Sequence, residues 1–306
     1  MTSGSINQEA PAAHLVLAGA GVIFASICFG VVPYFSRGLS DQGIAPQAIA
    51  FFRYVITAVV LLPVLFGNLA AWRELLWGMA AGAAMGLGWS GYAAALKVAP
   101  ASTVGVLYMT YPVFTVLISW LIFKDRITRR ALIAAGMILL AALIAGNPQV
   151  VPAEQLPALV ISLAAPAGFG FGICVLVYRL NRIPPLARIA CVTLGSVMAL
   201  APSMLASDAS EVMPQSAHVW LLVTGLALGT ALVPQLVYTI CSPIVGASRT
   251  AVFGSVELPT MLAVSVITLG ETLTIHQILG CLLIVAAIVL TQSRRTRNVT
   301  TTMTKS

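Results

Sequence analysis

Glu257 is the only charged residue in the run VFGSVELPTMLAV, and Pro259 follows two positions later. In such surroundings a carboxylate must meet a cation, hold a proton or face water, because its ionised form is costly in an apolar medium. A second polar residue beside a proline, Tyr111 with Pro112, interrupts the run MTYPVFTVL. A ring at either proline removes one helical amide and leaves a carbonyl available. Trp89 and Tyr92 are three residues apart, as are Gln235 and Tyr238, so each pair shares one face of a helix. Tyr108 stands one turn from Tyr111, and Arg53 is a lone cation in FFRYVITAVV. These types suit recognition of a small charged molecule. Glu257 would bind an ammonium or carry a proton, and Arg53 would meet a carboxylate. The rings would supply stacking or cation–π contacts of roughly 0.5–2 kcal/mol each.

Each residue also has a plainer reading. Glu257 and Arg53 could pair with neighbouring helices and only position them, and Tyr92 and Tyr238 could belong to an interfacial aromatic belt. His14, His218 and His276, with Lys97, Glu74 and Arg249, fall near the ends of apolar runs, where interface roles suffice. The five cysteines show no metal-ligand spacing and read as small packing residues. No metal or cofactor is expected. The nine acidic residues are scattered rather than clustered at one face, which argues against an enzyme, and no Walker loop points to direct use of ATP.

The elements that must position these residues are legible from composition. Hydrophobic residues make up 59% of the 306, and charged residues 8%, against about 25% charged in an ordinary soluble domain. Ten apolar stretches follow one another: 15–36, 46–66, 74–95, 101–122, 130–147, 157–179, 186–206, 217–240, 248–269 and 276–292. Most approach the roughly 20 residues that an α-helix needs to cross a bilayer. The expectation is an all-α polytopic membrane protein with ten transmembrane helices. An ionised carboxylate at the midplane of such a protein costs roughly 2.5–3.5 kcal/mol, so Glu257 needs a partner or a wet cavity. Residues 1–14 contain no Lys or Arg and so lack the basic start of a cleavable signal. The net charge of +7 reflects topology rather than a nucleic-acid partner. With the N-terminus in the cytoplasm, thirteen of the sixteen Lys and Arg fall on inner loops and the C-terminal tail. The positive-inside rule then places both termini in the cytoplasm.

The chain also repeats. FGVVPYFSR (29–37) and FGICVLVYR (171–179) share one frame, 142 residues apart. Shifted by 146, Tyr92 falls on Tyr238, Ala101-Ser102 on Ala247-Ser248, Asp125 on Glu271, Thr128 on Thr274, Ile138 on Ile284 and Ala141 on Ala287. Tyr111 and Glu257, near the centres of the fourth and ninth spans, are equivalents in this register. Pro33, which Val175 replaces in the second copy, breaks the symmetry. Five spans per copy is an odd number, so the second copy enters the membrane from the opposite side. Inverted repeats with a midplane site are a recurring transporter design. The expected organisation is a cytoplasmic tail 1–14, a first repeat 15–147, an extracytoplasmic linker 148–156, a second repeat 157–292 and a cytoplasmic tail 293–306. Glycine stripes (Gly78, Gly82 and Gly86; Gly225 and Gly229) read as close helix contacts, and packing is also the safer reading of Gly168, Gly170 and Gly172.

These features resemble the EamA-type branch of the drug/metabolite transporter superfamily. The resemblance is carried by the two five-helix repeats, DRIT after span 4, GETLT after span 9, and the stretch from Ala247-Ser248 to Glu257. Gly270-Glu271, Gln277-x-x-Gly280, Phe29-Gly30 and Phe52-Arg53 add to it, while Pro259 lies one residue later than the family's usual Glu-Pro pair. Within that family the pattern is most similar to bacterial amino-acid exporters, the YddG-type aromatic amino-acid exporters in particular. The resemblance implies a multi-pass secondary transporter of the inner membrane, exporting amino acids or related metabolites by alternating access, with a proton as a candidate coupling ion. Substrate-binding candidates are Trp89, Tyr108, Tyr111, Gln235, Glu257 and Arg53, with Tyr92 and Tyr238 as gates and Pro33, Pro112 and Pro259 as helix breaks. The alternatives are an organic-cation exporter of the same superfamily and, further off, a channel.

Overall fold

The computed structural model describes residues 12–96, 98–99, 101–146, 152–270 and 274–292. Lys97, Glu271, Asn298, most of the N-terminal tail, all of the C-terminal tail and residues 148–151 of the linker fall outside them. Among the described residues the chain forms sixteen α-helices and no strand. Six helical runs are long and apolar enough to cross a membrane: Ala13–Ser40, Pro46–Phe66, Leu156–Tyr178, Pro185–Leu205, Ala217–Val245 and Ala247–Thr268. Helix is the expected state because lipid offers no partner for a free amide or carbonyl. Hydroxyls follow the same rule. Ser26, Thr115, Thr230 and Thr260 each donate to the carbonyl four residues earlier.

The first half comprises α1 (Ala12–Gly30), α2 (Val32–Ser40), α3 (Pro46–Phe66), α4 (Trp72–Leu96), α5 (Ala101–Tyr108), α6 (Tyr111–Leu121) and α7 (Arg129–Gly146). The second comprises α8 (Leu156–Ser162), α9 (Ala164–Tyr178), α10 (Pro185–Leu205), the short α11 (Ala209–Val212), α12 (Ala217–Ala227), α13 (Val233–Val245), α14 (Ala247–Gly254), α15 (Glu257–Leu269) and α16 (Ile275–Gln292). A π-helical turn, Leu228–Leu232, joins α12 to α13. Four of the breaks precede a proline in the first turn of the next helix: Pro33 in α2, Pro112 in α6, Pro166 in α9 and Pro259 in α15. There the missing amide deprives no intrahelical bond. Tyr111 and Glu257 are thus each the first residue of a resumed helix. The first half breaks at Val31, late in its first run, and the second at Leu163, early in its own.

The two halves interlock, and their contacts exchange when the halves are swapped. α4 packs on α9 as α13 packs on α1, α6 packs on α9 as α15 packs on α1 and α2, and α4 packs on α10 as α12 packs on α3. α3 meets α10, and α7 meets α16, each pair being its own counterpart. Without a hydrophobic drive between helices in lipid, such contacts depend on close packing of small residues. Along α4, a Cβ at Gly78 would strike the Cys191 sulfur, one at Gly82 the Val192 carbonyl, and one at Gly86 would lie 2.8 Å from the Ser196 carbonyl oxygen. Ser196 donates to the Gly82 carbonyl at 2.9 Å across this contact. Gly168 and Gly170 meet the backbones of Ala84 and Thr115 as closely, and Gly225 meets the Phe35 ring. Gly229 departs from the expected stripe: it lies in the π turn with no atom within 4 Å of its missing Cβ.

Candidate functional site: a cavity between the halves

Three voids lie in a row through the interface. The widest, about 440 Å³, runs from Glu257, Arg53 and Tyr108 to Arg37, Ser40 and Pro46 beside the α2–α3 turn. That volume is within the range of roughly 300–1,000 Å³ usual for small-molecule sites. A middle void of about 20 Å³ shares Arg53, Trp89, Tyr108 and Glu257 with it and adds Met85, Phe169 and Gln235. Those three residues also line the last void, again about 20 Å³, which reaches Arg188, Tyr238 and Leu176 near the α9–α10 turn. The path is therefore open at the α2–α3 end and nearly closed at the α9–α10 end, two turns that are equivalents under the repeat.

One wall of the wide cavity is aromatic. Trp89 and Tyr92 meet edge to face at 5.1 Å, Tyr108 lies 5.9 Å from Trp89 and 6.0 Å from Tyr92, and Phe169 lies 6.1 Å behind Tyr108. Such pairs contribute about 0.5–1.5 kcal/mol each beyond area burial, so the rings hold one another in place. The other wall carries the charges. Arg53 on α3 lies over the rings of Phe29 (5.8 Å) and Tyr54 (5.6 Å) and donates from Nη2 to the Thr230 carbonyl at 2.9 Å. Its Nε is buried without a hydrogen-bond partner. Glu257, 9% exposed, opens the same cavity from the start of α15. Among the described residues the ion pairs are Arg37–Asp41 and Arg182–Glu74. Arg53 and Glu257 thus share a cavity without neutralising each other in contact.

The expected residues are not all brought together. Arg53, Trp89, Tyr92, Tyr108, Glu257 and Pro33 line the wide cavity. Gln235 lines the two narrow voids, and Tyr238, 3% exposed, lines the closed one. Tyr111 lies behind the wall: it is fully buried, its ring packs edge to face on Phe169 at 4.9 Å, and its hydroxyl donates to the Ala251 carbonyl at 3.2 Å. Pro112 is buried within α6, and Pro259 sits in the first turn of α15. Tyr54, Met85, Phe169 and Arg188 line the voids without having stood out in the sequence. Adjacency to Arg53 was the signal for Tyr54; Arg188 lies on α10, the helix equivalent to α3, but not at the position of Arg53, so the repeat did not single it out.

Side chains from both halves also meet near the α9–α10 end. Tyr178 on α9 donates to the Asp125 carboxylate and stacks on Phe123 at 5.0 Å. Arg179 lies over Trp77 at 5.1 Å and Phe123 at 5.7 Å. Rings from the other half thus take the face of its guanidinium.

One family model, described as the EamA-like transporter family, matches this chain twice, at residues 17–146 and 156–292. The chain belongs to the EamA-like transporter family. Two consecutive matches to one model make the halves copies of one unit, as the exchanging contacts require. As an EamA-like transporter it is a multi-pass membrane protein of a family of transporters. No curated protein matches it. Among 26 matching chains of solved structures, one described as "Crystal structure of protein" has a TM-score of 0.72 at 14% identity. The match covers 91% of this chain and 96% of that one. It shows that this EamA-like transporter shares that structure's fold.

Proposed function

We propose that this EamA-like transporter is a secondary carrier of the inner membrane that exports small metabolites, chiefly amino acids, aromatic ones among them. In this reading ten spans form two inverted repeats with both termini in the cytoplasm. The α2–α3 end then faces outward and the α9–α10 end inward. The observation that carries the reading is a cavity of about 440 Å³ at one end continuing, through Arg53 and Glu257, into a void of about 20 Å³ at the repeat-equivalent end. That is what one state of a two-state carrier requires: a site reached from one side, with its other approach packed shut. Glu257 and Arg53 suit the ammonium and carboxylate of a zwitterion, and Trp89, Tyr92 and Tyr108 suit an apolar or aromatic side chain. A proton carried by Glu257 is the candidate coupling ion.

An organic cation is the second reading, supported by the aromatic wall and Glu257; Arg53 on the same cavity counts against it. Radiolabelled amino acids and organic cations offered to reconstituted liposomes, with and without a pH gradient, separate the two. We expect amino acids to be carried, aromatic ones fastest, and flat cations to be carried poorly. Transport of cations with no amino-acid flux would overturn the proposal.

A further inference from the structure

Within α12–α13 and the π turn, the pattern Thr-x-x-x-Pro occurs twice, as Thr230 to Pro234 and Thr239 to Pro243. In a regular helix each proline position would supply the amide that caps the threonine's carbonyl, and proline has none. Both carbonyls are taken by arginines. Arg53 Nη2 donates to Thr230 at 2.9 Å, and Arg188 Nη1 donates to Thr239 at 3.2 Å. Arg53 comes from α3 of the first half, and Arg188 from α10, the equivalent helix of the second. Beside Arg53 stand Trp89 and Tyr92; beside Arg188 stand their equivalents, Gln235 and Tyr238.

We propose that Arg188, with Tyr238 and Gln235, is a second carboxylate-binding site, at the α9–α10 end, which the substrate meets when that end opens. The assignment rests on the carboxylate-bearing substrate proposed above. Two independent observations carry it. Arg188 uses three of its five N–H donors on the carbonyls of Ile183, Thr239 and Asn181, which fixes the guanidinium and leaves donors for a ligand. Neither ion pair among the described residues involves it. Tyr238, only 3% exposed, lines the same void, and its hydroxyl has no hydrogen-bond partner in the protein. A buried hydroxyl is normally satisfied, so an orphan at a closed mouth points to a partner that arrives. At about 20 Å³ the void admits no amino acid in the present conformation; it has room for a single water. The site is assembled but shut.

The test uses membrane vesicles of the full chain in both orientations, with L-phenylalanine and phenethylamine, its decarboxylated amine, as probes. Wild-type vesicles are expected to prefer phenylalanine at both faces. Arg188→Gln and Tyr238→Phe should raise the half-saturation for phenylalanine at the α9–α10 face by roughly 10- to 100-fold, as loss of a bond to a charged group does. Phenethylamine at that face, and both probes at the α2–α3 face, should change less than about two-fold, because neither makes the lost bond. A residue that merely braces the helix would weaken both probes alike, and that result overturns the proposal. Where Arg188→Gln fails to fold, Tyr238→Phe, which removes an unpartnered hydroxyl, carries the same test alone. A wild type without preference at either face overturns the carboxylate reading and this site with it. Preference that survives both variants overturns this site only.

Discussion

The Glu257→Gln protein should fold, insert and reconstitute as the wild type does, and fail to carry substrate uphill. Folding is spared for a physical reason. The Glu257 carboxylate enters no ion pair among the described residues, and a neutral amide of the same shape is cheaper to bury than a charge. Thermal stability in detergent is therefore expected to be equal or higher. Function is not spared. If Glu257 binds the substrate ammonium, the half-saturation for an amino acid rises by roughly 10- to 100-fold, the usual range for losing one hydrogen bond to a charged group. If it carries the exchanged proton, pH-driven accumulation vanishes while exchange at equal concentrations persists. Uphill transport and exchange measured on the same liposomes tell the two apart. Normal flux in both would remove Glu257 from the mechanism.

Arg53→Lys is the second large effect, although it keeps the charge. Arginine here does three things: it donates to the Thr230 carbonyl, lies over Phe29 and Tyr54, and keeps Nε free of any protein partner. Lysine's ammonium is a point charge without the planar fork, so it cannot hold that carbonyl and a substrate carboxylate in one plane. Leaving the Thr230 carbonyl short of a donor costs about 1–3 kcal/mol, which shows as a lower melting temperature. The functional result is selective: phenylalanine weakens by roughly 10-fold or more, and phenethylamine, which lacks the carboxylate, is little changed. Equal weakening of both would mean that Arg53 only braces the π turn.

How much of this was readable beforehand follows a physical line. Depth along a helix can be read from sequence, since each residue advances about 1.5 Å; that located Glu257 and Tyr111 at the middle of their runs. Azimuth cannot be read in helices that are apolar all round, because no polar face marks which side looks inward. Tyr111 therefore looked like a cavity residue and is instead packed behind Phe169. Gly229 continued a stripe by spacing, but the π turn rotates it into open space. The repeat was legible because equivalent loops and helices share residue types, such as Tyr92 with Tyr238. The arginine–carbonyl contacts were not, since each joins residues far apart in the chain, 177 for Arg53 and Thr230.

The asymmetry of the three voids gives the account its mechanical content. α4 and α13 are equivalents, yet the pair on α4 lines an open cavity while the pair on α13 lines a closed one. Exchange of these two environments would convert this state into its opposite. Tyr178 with Asp125, and Arg179 with Trp77 and Phe123, also join the two halves near that end.

The most direct measurement is counterflow. Liposomes containing the protein are loaded with unlabelled phenylalanine and diluted into a trace of labelled phenylalanine, with no other gradient. A carrier that opens alternately to the two sides returns loaded, so label should rise transiently above its equilibrium level and then decline. Label that climbs steadily to equilibrium, at a rate unaffected by the internal load, would contradict alternating access and point to a channel.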